Sequence, residues 1–492
     1  MTAPADVIPD PRRWKALALL GAIQFMLVLD ITVVNVALPN IQGDLGFSRP
    51  GLAWVVNGYV LMAGGLLLLG GRLADILGRR RVFLLGVGIF AVASATCGAA
   101  QDPAMLVISR FVQGAGEAFA APASLGLIAV LFPDPAERVK ALGMWGGIAG
   151  LGGTSGTVIS GALVNYASWR WIFFVNIPVA LIALVFTPRL VAESKMVLDR
   201  HDRPDYYGAT TMTAGLIAVV DGVLNAASHP WGGWQVLLPL LGGLGLLALT
   251  VYIEAHSKSP LIPLSFFKNR TRVATNVVTL FFSSGFFTYF FLLTLFEQQV
   301  LHYSPIRSGL SYLPFGICIG IGIGLGTALM PKLGVKTLLT GAFVLCAVGM
   351  TFTSNIDVHS HYASGIVPGM VILALGSGIC FPAIGNASLH QVTGQDSSLA
   401  SGVQSAMQQI GGAIGLSFLV TLGLRHATGQ IHRGTLPPVA QTHGYALAYH
   451  VAIGLLAAGA VFVVAFFEKG VLATPRNPEA EVAAAEVAPT PV

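Results

Sequence analysis

Residues 16–38 read ALALLGAIQFMLVLDITVVNVAL, a run of 23 positions whose only charge is Asp30. At about 1.5 Å of rise per residue, a helix of this length crosses the roughly 30 Å hydrocarbon core of a bilayer. The fifteen residues before it are polar. The run is too long for a signal-peptide core and leads into no small-residue cleavage site, so it reads as a membrane helix. Working outward, further apolar runs follow at about 51–71, 82–100, 105–131, 141–164, 171–188, 209–227 and 234–253, then at 273–299, 307–330, 337–353, 363–386, 399–423 and 444–467. Fourteen spanning helices make this an all-α integral membrane protein. Composition agrees: 54% of the 492 residues are hydrophobic and only 10% are charged, against about 25% in a soluble domain. A chain of soluble domains is excluded.

An even number of crossings puts both termini on one side, and the positive-inside rule chooses the side. Of the 27 Lys and Arg residues, 21 lie on the face shared with the termini, five lie on the opposite face, and Arg110 alone lies inside a span. Both termini are therefore expected to be cytoplasmic. The longest connection, 424–443, is about 20 residues, too short for a folded catalytic or receptor domain, so function must reside among the helices. The net charge of +5 comes from residues flanking apolar runs, which is no nucleic-acid surface. Cys97, Cys318, Cys346 and Cys380 all fall within spans without metal-ligand spacing, so neither disulfide nor metal is expected. Arg outnumbering Lys, with abundant Ala and Gly, suggests a GC-rich, actinomycete-like bacterium.

The chain also repeats itself. GGRLADILGRRR (70–81), which ends the second span, is echoed by GTALMPKLGVK (326–336), which ends the tenth, an offset of 256. Pro122-Ala123 in the fourth span is echoed by Pro382-Ala383 in the twelfth, an offset of 260. Spans one to six then correspond to spans nine to fourteen. The expected organisation is a cytoplasmic tail (1–15), a six-helix bundle (16–188), cytoplasmic loops with two inserted helices (189–272), a second six-helix bundle (273–467) and a disordered cytoplasmic tail (468–492).

A charge within a bilayer costs at least about 2.5–3.5 kcal/mol and marks a functional candidate. Asp30, Arg110, Glu117 and Asp221 qualify. Counting along the helices places Asp30 about 12 Å and Arg110 about 7 Å below the outer surface, with Glu117 two turns deeper on the same face as Arg110. A carboxyl isolated from water keeps its proton and one facing a guanidinium gives it up. Asp30 can thus load and release a proton as helices move; the alternative is a static pair fastening span one to span four. Asp221 either joins this strip or caps a helix end. Glu297, closing the ninth span beside Gln298 and Gln299, reads as solvated. In the loop after span two, Asp75 between Gly71 and Gly78 is placed to pair with an arginine or a helix N-terminus as a gate latch.

These stretches resemble the major facilitator superfamily, and specifically its fourteen-helix drug:proton antiporter family, over 16–467. The resemblance is carried by LDITVVNVALP (29–39), GRLADILGRR (71–80), RFVQGAG (110–116), SWRWIFFVNIP (168–178) and SPIRSGL (304–310) with Pro314. It implies proton-driven export by alternating access, with Asp30 and Arg110 in the coupling motifs and Gly71, Asp75, Gly78, Arg79 and Arg80 in a cytoplasmic gating loop. Three features depart from the family pattern. In the antiporter-like fifth helix, GGTSGTVISG (152–161) keeps Gly152, Gly156 and Gly161 but has Thr157 for a proline and Ser160 for a glycine. Ile76 stands where a basic residue is usual, and Glu117 stands where a small or apolar one is usual.

Three acids against one arginine favour a lipophilic cation as substrate, and the phenylalanines of span nine (281, 282, 286, 287, 290, 291) are either aromatic walls for it or a lipid face. No phosphate-binding loop and no hydrolase motif occur, so no cofactor and no enzymatic activity are expected; the proton gradient supplies the energy. The expected protein is a monomeric, proton-coupled exporter of drugs or antibiotic-like natural products in a bacterial cytoplasmic membrane. Its partners are the lipophilic substrate, protons and lipid, with no nucleic acid. The alternative is a proton-coupled transporter dedicated to one metabolite.

Overall fold

The computed structural model describes residues 12–194, 204–257, 260–390 and 397–468. The expected C-terminal tail lies almost wholly outside the described residues, as does most of the N-terminal one. Everything described is helix or short connection, with no strand. In chain order the helices are α1 (Arg13–Leu45), α2 (Arg49–Leu77), α3 (Arg79–Gly98), α4 (Pro103–Leu131), α5 (Pro135–Tyr166), α6 (Trp171–Phe174), α7 (Asn176–Leu190), α8 (Tyr206–Asn225) and α9 (Trp234–His256). The chain continues with α10 (Arg270–Leu295), α11 (Pro305–Ser311), α12 (Leu313–Ser354), α13 (Val367–Ser388), α14 (Ser397–His432) and α15 (Pro437–Phe466). A π-helical turn, Phe296–Val300, extends α10, and a second, Tyr362–Ile366, precedes α13. Many helix starts share one local device, a side-chain cap with proline in the first turn. Ser48, Asp102, Asp134 and Ser304 each accept a backbone N–H of the helix they open, satisfying a donor that the helix itself cannot.

Among the described residues, thirteen helical segments are long and apolar enough to cross a bilayer. The longest, Pro305–Ser354, is two crossings joined without a loop. Gly334 breaks the helical geometry within it (φ 74°, ψ 158°), giving the fourteen spans expected. The 256-residue offset has a structural counterpart, since Gly78 is also left-handed (φ 111°) and separates α2 from α3. The expected boundaries need correction at the ends. Helix α1 already begins at Arg13, inside the expected tail, and the supposed 20-residue loop 424–443 is mostly helix, reduced to a turn around Gly434 between α14 and α15. Hydropathy marks the lipid-immersed part of a helix, whereas backbone hydrogen bonding carries it on into water.

Helices α1 to α7 pack among themselves, as do α10 to α15, and the pair α8–α9 lies against α2 and α14. Much of α9 faces outward, with Trp234, Leu238, Leu241 and Tyr252 exposed, as suits a lipid-facing helix. Close approach relies on small residues. A Cβ on Gly86 would lie 2.7 Å from the Gly116 carbonyl oxygen between α3 and α4, and one on Gly349 2.8 Å from that of Gly369 between α12 and α13.

The two sets of helices meet along two seams. At one, α2 packs on α14, with Asn57 Nδ2 donating to Ser417 Oγ (2.8 Å) and a Cβ on Gly64 falling 2.7 Å from Gln409 Cβ. This seam continues to Leu68, which clusters with Ala400, Val403 and Phe266. At the other, the Tyr166 end of α5 packs on α11, and a Cβ on Gly161 would lie 2.7 Å from the Pro305 carbonyl oxygen. Here contact thins toward the other end. Gly143, Gly146 and Gly147 of α5 and Gly320 and Gly324 of α12 have nothing within 4 Å of a Cβ position.

Candidate functional site

Where α1, α2, α3, α4 and α7 converge, a polar cluster is sealed from water and lipid. Asp30 is fully buried and Arg110 is 1% exposed. The pair is joined by Arg110 Nη1 donating to Asp30 Oδ2. The other carboxylate oxygen, Oδ1, accepts from Gln113 Nε2 and from Asn176 Nδ2, both at 2.8 Å. Arg110 is fixed further by Val55 O, which accepts from Nε at 2.9 Å, and by Gln113 Oε1, which accepts from Nη1 at 2.7 Å. Its guanidinium lies 4.2 Å from the centre of the Tyr59 ring, a cation–π contact strengthened by the absence of water. Ser94 Oγ accepts from Gln113 Nε2 (2.8 Å) and Asn176 Nδ2 (3.3 Å). A buried ion pair is tolerable only with its remaining lone pairs and protons satisfied, and these neutral side chains satisfy them.

Arg110, Gln113 and Glu117 are spaced i, i+3, i+7 and share one face of α4. Glu117 is 8% exposed and neighbours the Tyr59 hydroxyl. Its Oε2 is without a hydrogen bond, as is the Tyr59 hydroxyl oxygen, and no cation lies within salt-bridge reach of it among the described residues. The cluster therefore holds one arginine, one carboxylate paired with it, and one carboxyl in excess. Asp221 belongs elsewhere. On α8 it accepts from Asn225 Nδ2 (3.0 Å) and lines an open recess of about 420 Å³ with His229 and Trp234. The arrangement of three acids around one arginine thus reduces to two acids. Gln113, Ser94, Asn176 and Tyr59 are members that a search restricted to charges passes over, although Gln113 and Asn176 lie inside the quoted motifs.

Asp75 lies in the last turn of α2 rather than in a loop and pairs across Gly78 with Arg79 at the start of α3, whose Nε and Nη2 donate to Oδ1 at 3.0 and 2.9 Å. Arg79 Nη1 also reaches the Gly126 carbonyl of α4 (3.3 Å). The unexpected partner is Glu193, just beyond α7. It accepts from the Arg80 backbone N–H (3.1 Å) at the first turn of α3, with the guanidinium groups of Arg80 and Arg81 at 3.7 and 3.6 Å. A carboxylate at a helix N-terminus meets unpaired amides and the positive end of the helix dipole. Gly78 is favoured by its positive φ of 111°, and a Cβ there would lie 2.6 Å from Glu193 Oε1 and displace that carboxylate. Gly71 lies where a Cβ would contact Pro122 at 3.6 Å.

The antiporter-like helix α5 runs without interior proline. Gly152 allows α1 to approach, a Cβ there being 2.8 Å from the Phe25 carbonyl oxygen, and Gly156 sits against Thr32. Ser160 Oγ donates to the Val33 carbonyl, so this departure from the family pattern ties α5 to α1. Gly161 and the Thr157 carbonyl face α11, the latter abutting Gly309. Glu297 corrects the expectation of a solvated residue. It is fully buried and accepts from Ser308 Oγ (2.6 Å) and Ser311 Oγ (2.7 Å). The phenylalanines of α10 do not form a plain lipid face: Phe286 packs its ring 5.1–6.1 Å from those of Phe282, Phe290, Phe315 and Phe381.

Comparison with known proteins places this geometry in a family. The sequence profile described as the Major Facilitator Superfamily matches residues 20–416. The puromycin resistance protein pur8 of Streptomyces alboniger is 37% identical, over 92% of this chain and 91% of that protein. The lincomycin resistance protein of Streptomyces lincolnensis is 35% identical, over 95% of this chain and 94% of that one. In fold, the crystal structure of an auto-inhibited peptide transporter of the POT family superposes with a TM-score of 0.69 at 14% identity, covering 92% of this chain and 98% of that one. The chain, a multi-pass membrane transporter by fold and by sequence, belongs to the major facilitator superfamily.

Proposed function

We propose that this protein exports antibiotic-like natural products across the cytoplasmic membrane of a bacterium in exchange for protons, and that it is not an enzyme. Relatives named for puromycin and lincomycin resistance support the direction and substrate class. The observation that carries the coupling is the buried Asp30–Arg110 pair with Glu117 in excess beside it. When Asp30 takes a proton its claim on Arg110 falls, and Arg110, stacked on Tyr59, can turn one or two helical steps along α4 toward Glu117. Gln113 and Asn176 keep the Asp30 carboxyl in place in either protonation state. A cationic substrate near Glu117 competes with Arg110 for the same negative charge, so drug and proton exclude one another, which is the requirement for exchange.

The two sets of six helices act as two bundles. With both termini cytoplasmic, the Tyr166 end of α5 is the outer end. A seam shut there between α5 and α11, with uncontacted glycines nearer the opposite end, corresponds to an inward-open state. The energy comes from the proton gradient without a cofactor, and a monomer suffices.

The test is puromycin uptake into everted membrane vesicles energised by an imposed pH gradient. Asp30→Asn is expected to abolish gradient-driven uptake while the protein remains inserted and folded. Asp30→Asn vesicles that still concentrate puromycin would sink the role given to this residue. A wild-type protein that moves none of a panel of cationic, neutral and anionic antibiotics would sink the substrate class.

A further inference from the structure

Glu297 lies outside the Asp30 cluster, on the π-helical turn that ends α10, and is fully buried. No arginine, lysine or histidine nitrogen approaches its carboxyl within 4.0 Å among the described residues. The titratable groups around it are Tyr289 of its own helix, Arg307 of α11, Tyr312 between α11 and α12, Tyr362 of the turn before α13 and Tyr449 of α15. Arg307 lies beyond salt-bridge reach, its guanidinium 3.8 Å from the centre of the Tyr303 ring. The Tyr362 hydroxyl donates to the Ser311 carbonyl (2.8 Å), and Tyr312 shares its hydroxyl with Thr294 (2.8 Å). Among the described residues, only Ser308 and Ser311 hydrogen-bond to the acid.

Four contacts surround that acid: Ser308 Oγ lies 2.6 Å from Glu297 Oε2, and Ser311 Oγ lies 2.7 Å from Oε1, 2.9 Å from Oε2 and 2.7 Å from the Ser308 carbonyl. Two serine hydroxyls provide two hydrogens. A third is carried by the carboxyl itself. Ser308 then donates to Oε2, Ser311 donates to the Ser308 carbonyl, and Oε1–H donates to Ser311. With Glu297 ionised, Ser311 has one hydrogen for three acceptor oxygens and a charge is left buried with no cation in salt-bridge reach among the described residues, which is costly.

Both serines belong to α11, the short helix whose Pro305 and Gly309 rest on Gly161 and Thr157 of α5. The residues following Glu297 tie α10 to α1, Gln298 Nε2 donating to the Val36 carbonyl (2.8 Å) and Gln299 Nε2 to Gln42 Oε1 (2.9 Å). This turn thus holds α11 through Glu297 and α1 through Gln298 and Gln299, all beside the seam at the Tyr166 end.

We propose that Glu297 is a second proton-binding site of the transport cycle: taking up a proton shuts the α5–α11 seam, and losing it to the inside lets the seam reopen. The proposal rests on the reading of this protein as a proton antiporter and deepens it. The proton-loaded form is the one closed at the Tyr166 end, so a proton entering from the outside closes the door behind it. That order suits exchange: proton in, inward opening, proton out, drug bound.

Two measurements on the full chain in lipid nanodiscs test this without any drug. The first is the infrared carbonyl band of a protonated carboxylic acid, followed against pH in a Glu117→Gln background. The band is expected near neutral pH, lost at high pH, and absent once Glu297→Gln is added. The second is the distance between spin labels on cysteines introduced at the exposed positions Tyr166 and Leu310, with the four native cysteines replaced. Raising the pH should lengthen it in the parent protein and leave it short in Glu297→Gln. A band that survives Glu297→Gln, or a distance that responds to pH equally in both proteins, overturns the proposal. Where Glu297→Gln fails to fold, Ser311→Ala serves: removing the acceptor of the carboxyl proton must shift the band, and an unmoved band also overturns it. Counting protons released on a pH jump separates the two readings. If Asp30→Asn lowers the count and Glu297→Gln does not, only the present inference falls; if neither lowers it, proton antiport falls with it.

Discussion

At the scale of single residues, the mechanism depends as much on neutral side chains as on charges. Gln113 donates to both Asp30 and Ser94 while accepting from Arg110, so it holds the pair together through both partners. Gln113→Leu should destabilise the protein by about 1–3 kcal/mol, the range for stranding buried hydrogen-bonding groups. It should also weaken proton-coupled transport more than drug binding. Thermal unfolding in detergent and vesicle uptake check the two parts, and unchanged melting would show that Asn176 and Ser94 suffice. Asp30, Arg110 and Glu117 were legible in the sequence because a charge in an apolar run is expensive and stands out. Gln113, Ser94 and Asn176 were not, since an amide or hydroxyl among Gly and Ala residues carries no comparable signal. Glu297 was misread for a physical reason: its place near the end of an apolar run suggests water, and what buries it is a helix from beyond the following turn.

At the scale of helices, the seam between α5 and α11 is made by backbone meeting backbone. Gly309 sits directly on the Thr157 carbonyl, and Gly161 on that of Pro305. Gly309→Ala should hold this end apart without disturbing either helix, since alanine favours helix over glycine. The expected result is a folded protein whose transport falls at least about tenfold, a differential of roughly 1.4 kcal/mol between open and shut forms. A cysteine pair across the seam would then cross-link more slowly than in the parent, and equal rates would count against this account. That α5 takes part in gating was visible in its glycine spacing. Its partner was not, because α11 is only seven residues long and reads as the beginning of a longer span. The break at Gly334 was legible as a polar dip in hydropathy; that the next crossing begins at once, without a loop, was not.

At the scale of the whole molecule, the two left-handed glycines allow a matched experiment. Alanine at Gly334 meets open space, so its cost should be conformational, about 1–3 kcal/mol. Alanine at Gly78 also carries a positive φ and in addition displaces the Glu193 carboxylate, so it should melt lower than the Gly334 variant and loosen the Arg80–Glu193 attachment. Comparing the two in one melting series checks the difference, and equal losses would leave Glu193 without a structural role at that junction. The overall architecture was readable from the 256-residue echo and the run of apolar segments, whereas the placement of the inserted pair was not. Helix α8 grips both halves: Thr213 packs against Gly65 of α2, Thr421 of α14 donates to the Val223 carbonyl (3.0 Å), and Arg425 of α14 reaches the carbonyls of Ala226 and His229. A strap on one flank makes the molecule a book with a bound spine. On the proposed export cycle its covers part at the fore-edge, beside α5 and α12, so a molecule dissolved in the surrounding lipid would meet the widening slot sideways before the mouth facing water.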